Sequence, residues 1–165
     1  MKKGFTLVEI LVSIALFSII VLFLYQTLQL SQQSGEFYSS KLKEFEKINF
    51  TKQILFTDIV NRTDSNTTLT QDDQIGSIVQ FKTNNTYHNP FFNYVTYMVS
   101  KKQNLLRLES KTYFKLRDAQ YEFYDHLYVD TLLNDVEKFK VVLDKDKKIA
   151  FYIKQKNKDA IFIKY

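Results

Sequence analysis

The chain has 165 residues, 45% hydrophobic and 16% aromatic, with no cysteine and a single proline, Pro90. The length leaves one domain's worth of residues beyond an apolar N-terminus, and the missing cysteine excludes disulfides and thiolate metal sites. Net charge is +5, from 23 Lys and Arg against 18 Asp and Glu, yet lysines are interspersed with acids, as in Lys145–Lys148 and Lys154–Lys158, or fall at expected turns such as Lys101–Lys102. A solvated surface is therefore expected rather than a nucleic-acid patch.

Phe5 to Leu24 is a run of 20 residues with one charge, Glu9, and three hydroxyls, Thr6, Ser13 and Ser18. A helix of that length, at ~1.5 Å per residue, crosses the ~30 Å hydrocarbon core of a bilayer, so a membrane span is expected over residues 5–24. Lys2 and Lys3 precede it and, because Lys and Arg stay on the cytoplasmic side, they direct the rest of the chain outward.

A secretory signal carries its small-residue cleavage site after the apolar region, but Tyr25 to Leu30 offers none. The small residue, Gly4, stands in front of Phe5 instead. A cut there would keep the helix on the mature chain and create an amine at Phe5. Glu9 lies about one turn from that amine, and a carboxylate within hydrocarbon costs on the order of 3 kcal/mol unless partnered. Pairing Glu9 with the Phe5 amine of a neighbouring helix would neutralise it and set the register of a bundle.

Lys2-Lys3-Gly4-Phe5-Thr6-Leu7-Val8-Glu9, followed by the apolar run, resembles the class III signal of type IV pilins and pseudopilins. The resemblance implies that a prepilin peptidase cuts between Gly4 and Phe5, that the Phe5 amine is N-methylated, and that Glu9 is the assembly glutamate. Lys2 and Lys3 are then the leader charge. This resemblance covers the leader and the span and establishes the superfamily rather than the member.

From Tyr25 to Val60 the helical pattern continues and becomes amphipathic: Tyr38, Leu42, Phe45, Ile48, Lys52, Leu55 and Ile59 recur at three- and four-residue steps, with Lys52 the one interruption. No proline breaks it, and Gly35 costs only ~1 kcal/mol against alanine. A helix from Phe5 to Val60 would be roughly 84 Å long, half of it in the bilayer or filament core and half against the head.

Asn61 to Gly76 reads as a polar loop. Strands are expected at Ser77–Lys82, Tyr94–Ser100, Leu105–Ser110, Glu137–Leu143, Ile149–Lys154 and Ala160–Tyr165, with short polar turns suited to antiparallel hairpins. Thr112 to Asp130 reads as irregular or short strand, and Leu132 to Val136 as a turn with an edge. The expected fold is α+β and pilin-like, a long N-terminal helix on an antiparallel sheet. It divides into leader 1–4, assembly helix 5–24, spine helix 25–60 and extracytoplasmic head 61–165, the last two forming one globular domain.

Within the superfamily, three patterns resemble the J-type minor pseudopilin of type II secretion systems. These are Gln53 to Ile59, ending apolar, acid, apolar at Asp58; the hairpin Val95–Val99 with Leu105–Leu108, including Arg107 after the turn; and Leu132–Val136 leading into Phe139–Leu143. The missing cysteine pair leans the same way. The resemblance implies a structural subunit at the tip of a secretion pseudopilus in the inner membrane, with its head in the periplasm. Its partners would be I- and K-type minor subunits, the major pseudopilin, the prepilin peptidase and membrane lipid. The alternative is a minor pilin of a type IV pilus or of a competence filament for DNA uptake.

Catalytic chemistry is not expected. His88 and His126 lack a nucleophile motif, and Asp125 beside His126 would face the other way in a strand. Neither Asp72-Asp73 nor Asp144-Lys145-Asp146 has the spacing of an EF-hand loop, so solvated loops are read there, the Asp72 region being retained as a minor calcium candidate because major pseudopilins bind calcium. Asp64-Ser65-Asn66-Thr67-Thr68 resembles an extended bacterial glycan-acceptor frame and makes Asn66 a minor candidate; Asn49-Phe50-Thr51 lacks the acid and falls on the helix. No metal or cofactor is expected.

Overall fold

Between Leu7 and Val60 nothing stops a helix: no proline intervenes, and helix α1 runs the whole distance, through Gly35. The computed structural model describes residues 6–63, 66–72, 76–113, 127–144 and 148–164. These form two compact units, Met1–Phe45 and Glu46–Tyr165. Over the described residues the first is α1 alone; the second contains the last turns of α1 and all the strands.

The second unit holds two antiparallel sheets. The first is a five-stranded meander of β1 (Thr68–Asp72), β2 (Gly76–Lys82), β3 (Tyr94–Val99), β4 (Leu105–Ser110) and β5 (Leu127–Leu133). The second is a three-stranded meander of β6 (Val136–Leu143), β7 (Ile149–Gln155) and β8 (Ile161–Lys164). All six expected strands are present within a residue or two of their expected ends.

The chain passes from one sheet to the other at Asn134–Asp135, where Asp135 adopts a left-handed φ of 55°. This junction is stitched: Gln155 donates through Nε2 to the Asn134 carbonyl at 2.7 Å, Lys156 N donates to the Asp135 carbonyl at 2.9 Å, and Val136 N to the Gln103 carbonyl at 2.8 Å. The sheets are also joined through Ser77, whose buried Oγ accepts from Val141 N at 3.1 Å.

One apolar core fills the space between these layers. Ile54, Leu55 and Ile59 of α1 meet Val79, Phe81, Val95, Tyr97, Val99 and Leu105 from the first sheet and Phe139, Val141, Ile149, Phe151 and Ile153 from the second. Alternation along the strands does this, since residues two apart share a face. The helix stripe, however, is Thr51, Ile54, Leu55, Asp58 and Ile59. It is rotated from the expected series, for Lys52 is exposed and Thr51 is inside. Thr51 tolerates burial because its hydroxyl donates to the Lys47 carbonyl at 2.9 Å. Tyr38, Leu42 and Phe45, expected on the head-facing stripe, are exposed.

One expectation for a loop is corrected. Asn61 to Gly76 contains strand β1, paired from Thr68↔Gln80 to Asp72↔Gly76. The one apolar residue of β1, Leu69, packs on the core, and the flanking threonines suit a polar edge strand, which composition alone reads as loop. Thr112 to Asp130 overlaps β5, while residues 114–126 lie outside the described residues. Leu132 and Leu133 close β5 and Val136 opens β6, all buried.

Candidate functional site

Two arrangements of polar side chains stand out, one inside the second unit and one at the start of α1. The first begins with alternation on β4: Leu105, Arg107 and Glu109 share the core-facing side, and the two charged residues are fully buried. A buried charge is tolerated only when paired and hydrogen-bonded. Asp58, buried on α1, supplies the pair.

Arg107 Nε donates to Asp58 Oδ2 at 2.8 Å and Nη2 to Asp58 Oδ1 at 3.1 Å. Nη1 donates to Glu109 Oε1 at 2.5 Å, and Nη2 also reaches the Asn85 carbonyl at 2.9 Å. With one guanidinium against two buried carboxylates, and a third, Asp130, 3.8 Å from Nη1, neutral donors supply the remaining bonds. Asn85 Nδ2 donates to Asp58 Oδ1 at 2.5 Å, and the Tyr97 hydroxyl donates to Asp58 Oδ2. The backbone N–H groups of Tyr87 and His88 donate to Glu109 at 2.7 and 3.1 Å. The Tyr87 ring lies against the guanidinium, 4.5 Å from Cζ to the ring centre.

Burial, followed by the charge of Asp58, pushes the Tyr97 phenol well above its ordinary value. Burial works against the Arg107 charge, but the hydrogen bonds to Asp58 and Glu109 and the negative charge around it together outweigh burial, and the pKa rises. No buried side-chain polar atom among the described residues lacks a partner. With all its carboxylate oxygens occupied, this cluster has no free base or nucleophile. It is a clasp joining the end of α1, strands β3 and β4 and the loop around Asn85 to His88.

The second arrangement is at the helix start. Thr6 precedes α1, and Glu9 Oε2 accepts from Thr6 N at 2.8 Å and from Thr6 Oγ1 at 2.9 Å, while Glu9 N donates to Thr6 Oγ1 at 3.4 Å. This Thr-x-x-Glu pair is a capping box, which satisfies donors that a helix end otherwise leaves open. The other hydroxyls of the apolar run are turned inward: Ser13 donates to the Glu9 carbonyl and Ser18 to the Ile14 carbonyl, each at 2.8 Å. Glu9 is thus the single charge on the apolar stretch from Leu7 to Leu24, where both serine hydroxyls give their protons to backbone carbonyls. Its apolar side chains are bare, from Val21, 45% exposed, to Leu7, 78% exposed. The segment is long and apolar enough to cross a membrane.

Residues 1–25 match the family described as Prokaryotic N-terminal methylation motif. This motif indicates a type IV pilin-like prepilin protein. No curated protein and no solved structure matches the chain. Pilin-like proteins are structural subunits that assemble with other pilin subunits, and a prepilin motif on an apolar helix is consistent with inner-membrane anchoring.

Of the residues singled out in the pilin-like signal, Lys2, Lys3, Gly4 and Phe5 lie outside the described residues, and Glu9 sits in the capping box. His88 Nε2 is 3.0 Å from both carboxylate oxygens of Asp130, and its ring stacks on Tyr128; His126 lies outside the described residues. Asp72 ends β1, and Asp73 is outside the described residues. No cluster of three or more His, Cys, Asp or Glu able to hold a metal occurs among the described residues. Asp144 pairs with Lys164 at 3.8 Å. Asn66 is exposed ahead of β1, its carbonyl accepting from the Tyr113 hydroxyl at 3.1 Å, and Asn49 lies on α1.

Asp58 and Arg107, noted separately as marks of resemblance, are brought together. Glu109, Tyr97 and Asn85 were not anticipated. The signal for Glu109 was present: it stands two residues after Arg107 on a strand whose alternate residue, Leu105, is apolar, so both charges must face the core.

Proposed function

We propose that the chain is a minor pseudopilin, a structural subunit at the tip of a type II secretion pseudopilus that helps to start filament assembly. Prepilin peptidase would remove residues 1–4, the Phe5 amine would be methylated, and α1 would pack beside the helices of I- and K-type and major pseudopilins. The head would stand in the periplasm. The observation that carries the reading is the bare apolar surface of α1 bearing one carboxylate, Glu9, one turn after the motif's expected new amine.

An apolar helix in lipid gains little from hydrophobic contact with another, so polar pairing and close packing decide which helices associate. The junction of Asp58 with Arg107 supports the J-type assignment, because the acid closing the spine helix and the arginine after the central turn then belong to one device.

The test is the N-terminal mass of the protein from its own membrane, together with co-isolation of other pseudopilins. A chain beginning at a methylated Phe5 and recovered with those subunits is expected. A chain retaining Met1 to Gly4 in assembled material overturns the reading.

A further inference from the structure

The outer face of the three-stranded sheet carries a pattern that folding does not require. Its inner face is apolar, with Phe139, Val141, Ile149, Phe151, Ile153 and Ile161 buried. The alternate residues form a small grid on the other side. Lys140, Tyr152 and Phe162 stand side by side across β6, β7 and β8. Lys138 and Lys154 pair directly next to that row, and Lys164 stands on its opposite side.

Like charges directly opposite each other destabilise a sheet, and Phe162, the cross-strand partner of Tyr152, leaves its ring 65% exposed. Among the described residues no carboxylate pairs with Lys138, Lys140 or Lys154, and only Lys164 has one, Asp144 at 3.8 Å. Lys154 donates instead to the Lys158 carbonyl. The charge is also concentrated there. Residues 134–165 hold nine lysines against five acids, a net +4 of the chain's +5. The whole-chain balance hid this, because the acids interspersed in sequence lie mostly in turns.

We propose that this face, with Tyr152 and Phe162 at its centre and Lys138, Lys140, Lys154 and Lys164 around them, docks single-stranded nucleic acid. The lysines would contact phosphates and the two rings would stack bases. A sheet face with neighbouring aromatics is a platform on which unpaired bases stack. The nine cations in this part of the chain are lysines, with no arginine. Lysine meets phosphate as a point charge, and two adjoining rings between such charges match a strand of alternating bases and phosphates, whereas an acidic protein would leave the rings unused. The inference stands apart from the secretion reading and does not depend on it.

The test is fluorescence anisotropy of a labelled 20-nucleotide oligothymidylate with the full chain in nonionic detergent, titrated from low to moderate salt. Affinity should fall with salt along a log–log slope of about −2 to −3, reflecting roughly three to four phosphate contacts. Phe162→Ala, at an exposed position, should weaken binding at least about fivefold. Lys138→Gln with Lys140→Gln should flatten the slope by about 1.4. Unchanged affinity in Phe162→Ala overturns the proposal. So does equal binding of duplex DNA, polyglutamate or phosphatidylglycerol vesicles, any of which would make the face a general anion or membrane contact. Absence of binding to the oligothymidylate at low salt also overturns it.

Discussion

Arg107 holds Asp58 with two nitrogens, at 2.8 and 3.1 Å, across 49 residues of sequence and with neither side chain exposed to solvent. The pair fastens the end of α1 to the middle of the five-stranded sheet, and Glu109 extends it along β4. Such an arrangement contributes more to positional specificity than to net stability, because desolvation offsets most of the attraction. Breaking it is a different matter.

Replacing Arg107 by Met leaves Asp58 and Glu109 as buried carboxylates without a counter-charge. Loss of one partner from a buried pair costs about 3–5 kcal/mol, so Arg107→Met should lower the denaturant midpoint of the head sharply or leave it unfolded. The double variant Asp58→Asn, Arg107→Gln should lose less than the two single variants added together. Tyrosine fluorescence during urea unfolding of the full chain in nonionic detergent measures this, since the chain has no tryptophan. Strict additivity would mean that the two residues do not act as a unit.

Tyr97 gives the clasp a pH dependence of predictable sign. Its neutral phenol donates to Asp58, and burial pushes its pKa upward; in the unfolded chain it ionises near pH ~10. Above that pH the folded state retains a proton that the unfolded state releases, so the stabilisation, complete below pH ~10, declines as pH rises further. Tyr97→Phe should cost about 1.5–3 kcal/mol at neutral pH, the range for a hydrogen bond to a charged group. The gap between wild type and variant should then narrow above pH ~10. Parallel curves of unfolding free energy against pH would show that Tyr97 does not carry the effect.

Alternation and turn chemistry made the six strands of the head legible, from Ser77 to the C-terminus, because each carries apolar residues on its inner face. What remained hidden was polar. Strand β1 has a single inward apolar residue, Leu69, so its hydrophobic pattern falls below what distinguishes strand from loop. The α1 stripe was displaced because Thr51 and Asp58 are inside, and a count of apolar residues cannot know that Arg107 or the Lys47 carbonyl will satisfy them. Division of the strands between two sheets turns on Asp135, whose left-handed φ of 55° has no unique signature in sequence. At the N-terminus the opposite holds, since the span, its lone acid and the preceding small residue are local patterns that need no tertiary partner.

The contact between the sheets offers a smaller test. Ser77 is buried, and its hydroxyl accepts from Val141 N at 3.1 Å. Ser77→Ala removes the acceptor and strands a buried N–H, which costs about 1–3 kcal/mol. Faster hydrogen exchange at Val141 and along β6, with the β3–β4 hairpin unchanged, is the expected result. Uniform acceleration in both sheets would instead indicate that Ser77 supports the whole head.

Glu9 closes a capping box and is proposed to pair with a neighbouring subunit, and substitution can tell the two apart. Its carboxylate closes the capping box with Thr6 at 2.8 and 2.9 Å, and in an assembled bundle it is expected to meet a neighbour's Phe5 amine. Glutamine keeps an acceptor oxygen and so preserves the cap, whereas alanine removes both cap and charge. If charge pairing governs assembly, Glu9→Gln and Glu9→Ala should both be cut after Gly4 at the wild-type rate and both fail to enter filaments. The measurements are N-terminal mass for cleavage and the amount recovered with sheared or affinity-isolated filament for incorporation. A Glu9→Gln protein that incorporates normally while Glu9→Ala does not would assign the requirement to the helix start and remove the intersubunit ion pair.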